Sequence, residues 1–380
     1  MGGRYGFGDC MKVFVLTLGT RGDLELFLGL GGELRRRGHE VVMGTSPFYK
    51  GRVVEAGIEF VPMGDDSQER MVAALHSLAG IGDTAERTRQ YFQRWLQPQL
   101  AASVGRITSA GAGADYFVSN LKMALRKGGG VMPGAFVTYD PPAAVGDLER
   151  YGSAQHGGRI IEIVAMNRML IDPEGAWGER YRFTGFWETA GGGGFEAEGG
   201  LAEFIVAGRP PVVFTMGSMV MFDPERYVRV VVEALREAGE RGVMVTSWAG
   251  IDFGAAERDG VYCVREVPYD WLFPQAGCIV HHGGCGTVAA AVRAGVPSVL
   301  LPQVLCQVDF AKVLMQRGLA AGALAIRTVT PAELGRAIAL AVHDERLHAA
   351  AADWRERVRT ERGLAAAADL IEAHWDAVGQ

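Results

Sequence analysis

The sequence predicts an α/β protein built from two doubly wound halves, each around a parallel sheet. Three observations predict it. Residues 12–62 repeat an apolar run, a helical stretch and another apolar run, which is the βα pattern of a parallel sheet. Residues 278–301 read as strand, glycine loop, helix, turn and strand, a second βαβ unit far along the chain. Between them lie Ala190-Gly-Gly-Gly-Gly194 and Glu198-Gly-Gly200, a glycine-rich linker that would permit domain closure. A chain of 380 residues is also long enough for two cores.

In the front half, Lys12–Leu18 is the first apolar strand and Gly19-Thr-Arg-Gly-Asp23 the loop after it. Leu24–Arg37 reads as a helix, with Leu26, Phe27, Leu30 and Leu34 on one side and Gly38 as its stop. His39–Met43 and Ile58–Pro62 are the next strands, and Val53–Gly57 closes the helix between them. Ligands of such sheets bind outside the carboxyl ends of the strands, where Asp23 falls. On these residues alone Asp23 reads as a helix cap, because Asp accepts N–H bonds at helix starts. Met71, Leu75, Leu78, Tyr91, Phe92, Trp95 and Leu96 are spaced like packed helix faces. Ala114–Asn120 reads as a strand with a polar end.

In the rear half, Pro210–Phe214 is a strand, Thr215-Met-Gly-Ser-Met219 its loop and Tyr227–Ala238 the following helix. Gly242–Trp248 is the next strand; Trp248 suits either a buried core or the flank of a nucleotide. Val267-Pro-Tyr-Asp-Trp-Leu-Phe-Pro274 is a Pro-punctuated turn anchored by Trp271, Leu272 and Phe273. Then come Ile279 and Val280, His281 and His282, Gly283, Gly284, Cys285, Gly286 and Thr287, and a helix from Val288 to Ala294. Glycines at a strand-to-helix turn let backbone N–H groups approach a ligand, and the helix start carries positive partial charge. With the Thr287 hydroxyl and the His282 ring, the turn suits a diphosphate held without a P-loop lysine; His281 packs on the sheet or braces the loop. Thr330 and Pro331 open a capped helix, and Trp354 and Trp375 anchor the Ala-rich helices that follow.

Composition excludes several classes. Hydrophobic residues make up 48% and charged residues 22%, so a packed globular protein is expected. Net charge is −6, and no basic stripe suits nucleic acid. The five cysteines have no paired spacing, which fits free thiols in a reducing cytoplasm, and no Cys/His metal cluster emerges. No apolar run reaches membrane-spanning length and no signal-peptide core precedes the first strand.

The run His281-His-Gly-Gly-Cys-Gly-Thr287, with Ala294-Gly-Val-Pro297 and Leu301-Pro-Gln303, resembles the sugar-nucleotide motif of family 1 glycosyltransferases. The subgroup it resembles most is that of bacterial natural-product and sterol glycosyltransferases. Gly19–Asp23 with Arg37-Gly-His-Glu-Val41, Arg182–Trp187, Thr215–Met219 and Val267–Pro274 are similar to further signatures of the same group. The resemblance covers most of residues 11–375. It implies a GT-B fold, two Rossmann-like domains facing across a cleft, and an inverting transfer of sugar from a UDP- or TDP-linked donor to a small-molecule hydroxyl, with no metal.

Its site residues carry over to this chain as follows. Asp23 is the implied general base and His282 the implied partner of the departing diphosphate. Donor contacts fall on Gly19, Thr20, Ser218, Val267, Pro268, His282, Gly283, Gly284, Cys285, Gly286, Thr287, Gln303 and Gln307. Two positions depart from the pattern: Leu26 replaces the usual Pro, and Cys306 precedes Gln307 where the family has Asp. A thiol is no substitute for a carboxylate acceptor, and a lost charge-assisted hydrogen bond costs roughly 1.5–3 kcal/mol. Cys306 therefore suggests a deoxy or otherwise modified donor sugar, unless Asp309 compensates. The stretch from Asn120 to Asn167 is short for the group, which suggests an open acceptor pocket.

The expected domains are an extension over 1–10, an acceptor domain over 11–189, the linker 190–200, a donor domain over 201–362, and a helix in 363–380 that crosses back. A cytoplasmic enzyme is expected, with a homodimer left open. Two readings compete with transfer: an NDP-sugar epimerase of the same fold, which needs no acceptor, and a non-catalytic auxiliary subunit.

Overall fold

The computed structural model describes residues 10–378 except 65–66, 122–125, 128–129, 132, 140–157, 189–194, 198, 220–222 and 248–259. Trp248, most of the Asn120–Asn167 stretch and the glycine run of the linker lie outside the described residues.

The front half holds a seven-stranded parallel sheet in the order β3-β2-β1-β4-β7-β8-β9. Its strands are β1 (Lys12–Leu16), β2 (Glu40–Thr45), β3 (Glu59–Pro62), β4 (Tyr116–Ser119), β7 (Gly134–Thr138), β8 (Ile160–Val164) and β9 (Tyr181–Phe183). A short antiparallel ladder pairs β5 (Arg126–Lys127) with β6 (Gly130–Val131). The helices are α1 (Arg21–Arg36), α2 (Lys50–Glu55), α3 (Gln68–Ala79), α4 (Thr84–Tyr91), α5 (Gln97–Ala112) and α6 (Arg168–Ile171).

The rear half holds a six-stranded parallel sheet in the order β12-β11-β10-β13-β14-β15. Its strands are β10 (Val212–Thr215), β11 (Gly242–Val245), β12 (Val261–Val264), β13 (Cys278–His281), β14 (Ser298–Leu300) and β15 (Ala320–Ala323). The helices are α7 (Gly199–Val206), α8 (Pro224–Ala238), α9 (Tyr269–Leu272), α10 (Cys285–Ala294), α11 (Leu305–Gln316), α12 (Pro331–His343), α13 (Glu345–Val358) and α14 (Gly363–Val378).

Apart from Lys12 at the start of β1 and Thr215 at the end of β10, both central strands are apolar because helices cover both faces of the sheet. Val13, Phe14, Val15 and Leu16 are fully buried in β1, as are Val212, Val213 and Phe214 in β10. Asp223 caps α8 through the Arg226 N–H, Pro224 opens it, and Gly239 closes it in the left-handed conformation that its φ of 67° requires. Thr330 and Glu333 form the capping box of α12.

Several boundaries differ from the sequence reading; α10, for one, begins at Cys285 rather than Val288. α1 begins at Arg21, not Leu24, because Thr20 is its N-cap and Asp23 lies inside the first turn. α8 begins at Pro224, not Tyr227. Gly199 and Gly200 belong to the first turn of α7 rather than to a linker reaching 200. Phe92, expected on a packed face, is largely exposed, whereas Met71, Leu78 and Trp95 are buried.

The last helix lies on the front half. Arg37 pairs with Asp369 and Glu372 of α14, the Tyr116 hydroxyl meets His374 Nδ1 at 2.6 Å, and Glu361 accepts the Phe186 N–H. One apolar cluster runs from Leu24, Phe27 and Leu30 of α1 through Val288 and Val292 of α10 to Trp354, Ala367 and Ile371. No helix among the described residues is long and apolar enough to cross a membrane.

Candidate active site

In both sheets the strand order reverses between two central neighbours, β1 and β4 in front and β10 and β13 behind. Loops leave such a pair in opposite directions and open a crevice at the carboxyl ends. Asp23 follows β1, Asn120 follows β4, Ser218 follows β10 and His282 follows β13. Four polar residues thus reach the two crevices from distant parts of the chain.

Asp23 is the third residue of α1. Its Oδ2 accepts the Thr20 N–H at 2.7 Å and the Thr20 hydroxyl at 3.2 Å, which is the reach-back of a capping box. Gly19 has no side chain because the Asp23 carboxylate occupies the space a Cβ would fill. Asp23 Oδ1 accepts the Tyr139 hydroxyl, and the Asn120 amide donates to the same phenol oxygen at 2.8 Å. Burial pushes the Asp23 carboxyl above the usual range, and the bonds from Tyr139 and Thr20 pull it partly back. So Asp23 is both a cap and a poised carboxylate, while Gly19 and the Thr20 N–H serve that carboxylate.

Behind, β13 ends at His281. Its Nδ1 accepts the Gly283 N–H at 3.2 Å, and its Nε2 is buried with no partner, so His281 braces the loop. Burial holds its ring down at about 3 and that of His282 at about 4, so both are neutral near pH 7. The His282 ring lies between two glycines. A Cβ on Gly284 would overlap its Nε2, and one on Gly217 would come within 2.9 Å of its Cε1. Each glycine is therefore a packing requirement of the histidine.

Gly284 is the N-cap of α10 and makes no side-chain cap bond, so the first turn, with Gly286 and Thr287, presents the partial positive charge of a helix start. Space above Gly286 is open. Beneath, Thr215 Oγ1 and the Tyr269 hydroxyl lie 2.7 Å apart, and Tyr269 also bonds to Thr287. Ser218 is buried beside Gly217. Val267 packs in the core with Leu272 and Phe273, and Pro268 caps α9 with an extended backbone, which ties that turn to Tyr269.

The first turn of α11 joins this cluster, since a Cβ on Gly283 would lie 3.1 Å from the Gln307 carbonyl. Gln307 Oε1 accepts the N–H groups of Gln303, at 2.7 Å, and Val304, at 3.2 Å. Its amide oxygen thus caps α11 rather than standing free for a sugar. Asp309, the alternative acceptor for Cys306, is buried and pairs with Lys312 at 3.0 Å. Cys306 is half-buried in the first turn of α11.

Front and rear clusters meet across the cleft. Arg21 Nη1 lies 2.8 Å from Glu266 Oε1, α1 packs on α10, and Arg87 of α4 donates to the Gln303 carbonyl at 2.5 Å. Sequence reasoning missed Tyr139, Asn120 and Tyr269 as members of the site. Only the polar end of the 114–120 strand offered a signal; the other two are aromatic residues that look like core.

Comparison with known proteins agrees with this geometry. Residues 13–121 match the glycosyltransferase family 28 N-terminal domain, and residues 251–366 the erythromycin biosynthesis protein CIII-like C-terminal domain. The O-mycaminosyltylonolide 6-deoxyallosyltransferase of Streptomyces fradiae is 29% identical, over 95% of this chain and 97% of its own. A sterol 3-beta-glucosyltransferase of Arabidopsis thaliana is 24% identical, over 96% of this chain and 68% of its own. Among solved structures, the calicheamicin glycosyltransferase CalG4 superposes with a TM-score of 0.69 at 19% identity, covering 98% of this chain and all of that one. The kitacinnamycin glycosyltransferase superposes at 0.68 with 21% identity, covering 97% and 100%. Two facing parallel-sheet halves, the front matched by a glycosyltransferase domain and the rear by a CIII-like C-terminal domain, together with glycosyltransferase relatives along nearly the whole chain, place it: the chain belongs to the family 1 glycosyltransferases of GT-B fold, of the natural-product and sterol type.

Proposed function

We propose that the protein moves a sugar from a UDP- or TDP-linked donor to a hydroxyl of a small natural-product acceptor, with inversion and without a metal. The observation that carries this reading is the facing pair of sites: a hydrogen-bonded carboxylate at Asp23 and the start of α10, whose N-cap Gly284 makes no side-chain bond, joined across the cleft by Arg21 and Glu266. In this reading the acceptor lies on the Asp23 side and the diphosphate on the α10 side. As the acceptor oxygen bonds to the anomeric carbon, its proton passes to Asp23 and the bond to the phosphate oxygen breaks. Attack and departure on opposite faces invert the centre. Charge grows on the diphosphate, where the N–H groups of residues 285–287, Thr287 and the neutral His282 ring receive it.

Gly283, Gly284 and Ser218 shape the diphosphate site, the main chain at Val267 and Pro268 meets the base, and Gln303 and Gln307 form the floor of the sugar site. Gln307 Oε1 is taken up by the Gln303 N–H and Asp309 by Lys312, so neither stands ready to replace the missing carboxylate at Cys306, which favours a deoxy or modified sugar. The Streptomyces fradiae relative, a deoxyallosyltransferase, is in line with that.

The test is nucleotide release in wild type and Asp23→Asn, with and without a panel of hydroxyl acceptors and with EDTA present. Acceptor-dependent release that falls by about 100-fold or more in Asp23→Asn, unaffected by EDTA, is expected. Release of free nucleotide and isomerised sugar without acceptor would instead indicate an epimerase, and no turnover of any donor an auxiliary subunit.

A further inference from the structure

The base in the proposed mechanism is not held by its own helix alone. Asp23 follows β1, Asn120 follows β4 and Tyr139 follows β7, and these three strands are adjacent in the sheet. The Asn120 Nδ2 donates to the Tyr139 oxygen at 2.8 Å, and the Tyr139 hydroxyl donates to Asp23 Oδ1. A phenol has one proton. Because that proton goes to the carboxylate, the amide must present N–H to the phenol, so the whole chain has a single direction. On the other side, Thr20 holds Oδ2 through its N–H and its hydroxyl. Tyr139 is nearly buried, so the phenol acts in a poorly solvated place where its bond is stronger than in water.

We propose that Tyr139, oriented by Asn120, is a positioning residue for the base: it fixes the plane of the Asp23 carboxylate and stabilises its ionised form through the hydrogen bond it donates. This rests on the reading of Asp23 as base, and adds to it Tyr139 and Asn120. In the reaction, the carboxylate takes the acceptor's proton on a lone pair left by these bonds. The phenol keeps its own proton throughout, so it is neither acid nor base.

The test is the titration of the Asp23 carboxyl by infrared spectroscopy on the protein alone, the band assigned by its loss in Asp23→Asn. In Tyr139→Phe the midpoint should rise by about one pH unit, the effect of a hydrogen bond lost from the ionised form. In Asn120→Ala it should rise by less, in the same direction. With any acceptor that is turned over, the acid limb of the rate profile should move with the band, so that raising the pH restores the rate of Tyr139→Phe. A purely structural tyrosine would lower the rate at every pH alike. An unmoved or lowered midpoint in both variants overturns the proposal, and Asn120→Ala decides it if Tyr139→Phe does not fold. The two readings fail separately: turnover retained in Asp23→Asn removes Asp23 as base, yet a shifted band would still establish the Tyr139 bond.

Discussion

Arg21 and Glu266 form an ion pair of 2.8 Å between the first residue of α1 and the turn before α9, so the front and rear halves are linked two residues from Asp23 and one residue from Val267. Arg21 also reaches Glu25 at 3.3 Å. Their side chains are 29% and 47% exposed, and solvent screens such a pair. A double-mutant cycle of Arg21→Ala and Glu266→Ala in urea unfolding should give a coupling of roughly 0.2–1 kcal/mol, shrinking in 0.5 M salt. A coupling of several kcal/mol, or one indifferent to salt, would mean that the pair is not the screened contact described.

The two histidines make a pH prediction. In the unfolded chain each ring protonates below about pH 6.5, whereas in the fold burial holds them at about 3 and about 4. Between those values the unfolded state binds more protons. Their contribution to stability is therefore complete above pH 6.5 and is lost as pH falls towards 4. Urea midpoints of wild type should drop between pH 7.5 and 5 by more than those of His282→Gln. Imidazole nitrogen shifts should show both rings still neutral at pH 5; a ring that titrates near 6.5 would contradict the burial described.

Gly284 offers a clean steric probe. Its φ of −68° suits any residue, so Gly284→Ala brings no backbone strain, only a methyl group overlapping the His282 ring. Displacing that ring should weaken binding of UDP and TDP by at least about tenfold in calorimetry, at a stability cost of about 1–3 kcal/mol. Gly217→Ala should cost more stability, because its φ of 56° disfavours a side chain as well. Unchanged nucleotide affinity in Gly284→Ala would separate His282 from the nucleotide site.

Cys306→Asp tests the donor. α11 has no acidic residue in its first turn, so a carboxylate there should raise stability by about 0.3–1 kcal/mol, read as a higher unfolding midpoint. If Cys306 suits a sugar lacking a hydroxyl, the variant should also shift preference towards glucose over deoxysugar donors in competition assays. A raised midpoint with unchanged preference would count against the deoxysugar reading and leave the helix argument intact.

Much of the fold was legible before the structure. Unbroken apolar runs such as Val13–Leu16 and Val212–Phe214 mark strands buried on both faces, and glycine after Ala294 marks a helix end. The error at α1 has a local cause. Thr20 and Asp23 form a capping box, so a polar, glycine-containing stretch that resembles loop is already the first helical turn.

By itself the sequence determined the strand–loop–helix units at 12–36 and 278–294 and the glycines that each requires, because those depend on neighbours a few residues away. It singled out His282 for the same reason, and Asp23 only through the resemblance of Gly19–Asp23 to a family signature. Tertiary structure alone decided what surrounds them: Tyr139 and Asn120 reach Asp23 only because β4 and β7 lie beside β1, and Glu266 meets Arg21 only because two sheets fold face to face. Contacts between residues a hundred or more positions apart follow from strand order and domain packing, and neither is written in the spacing of any single motif.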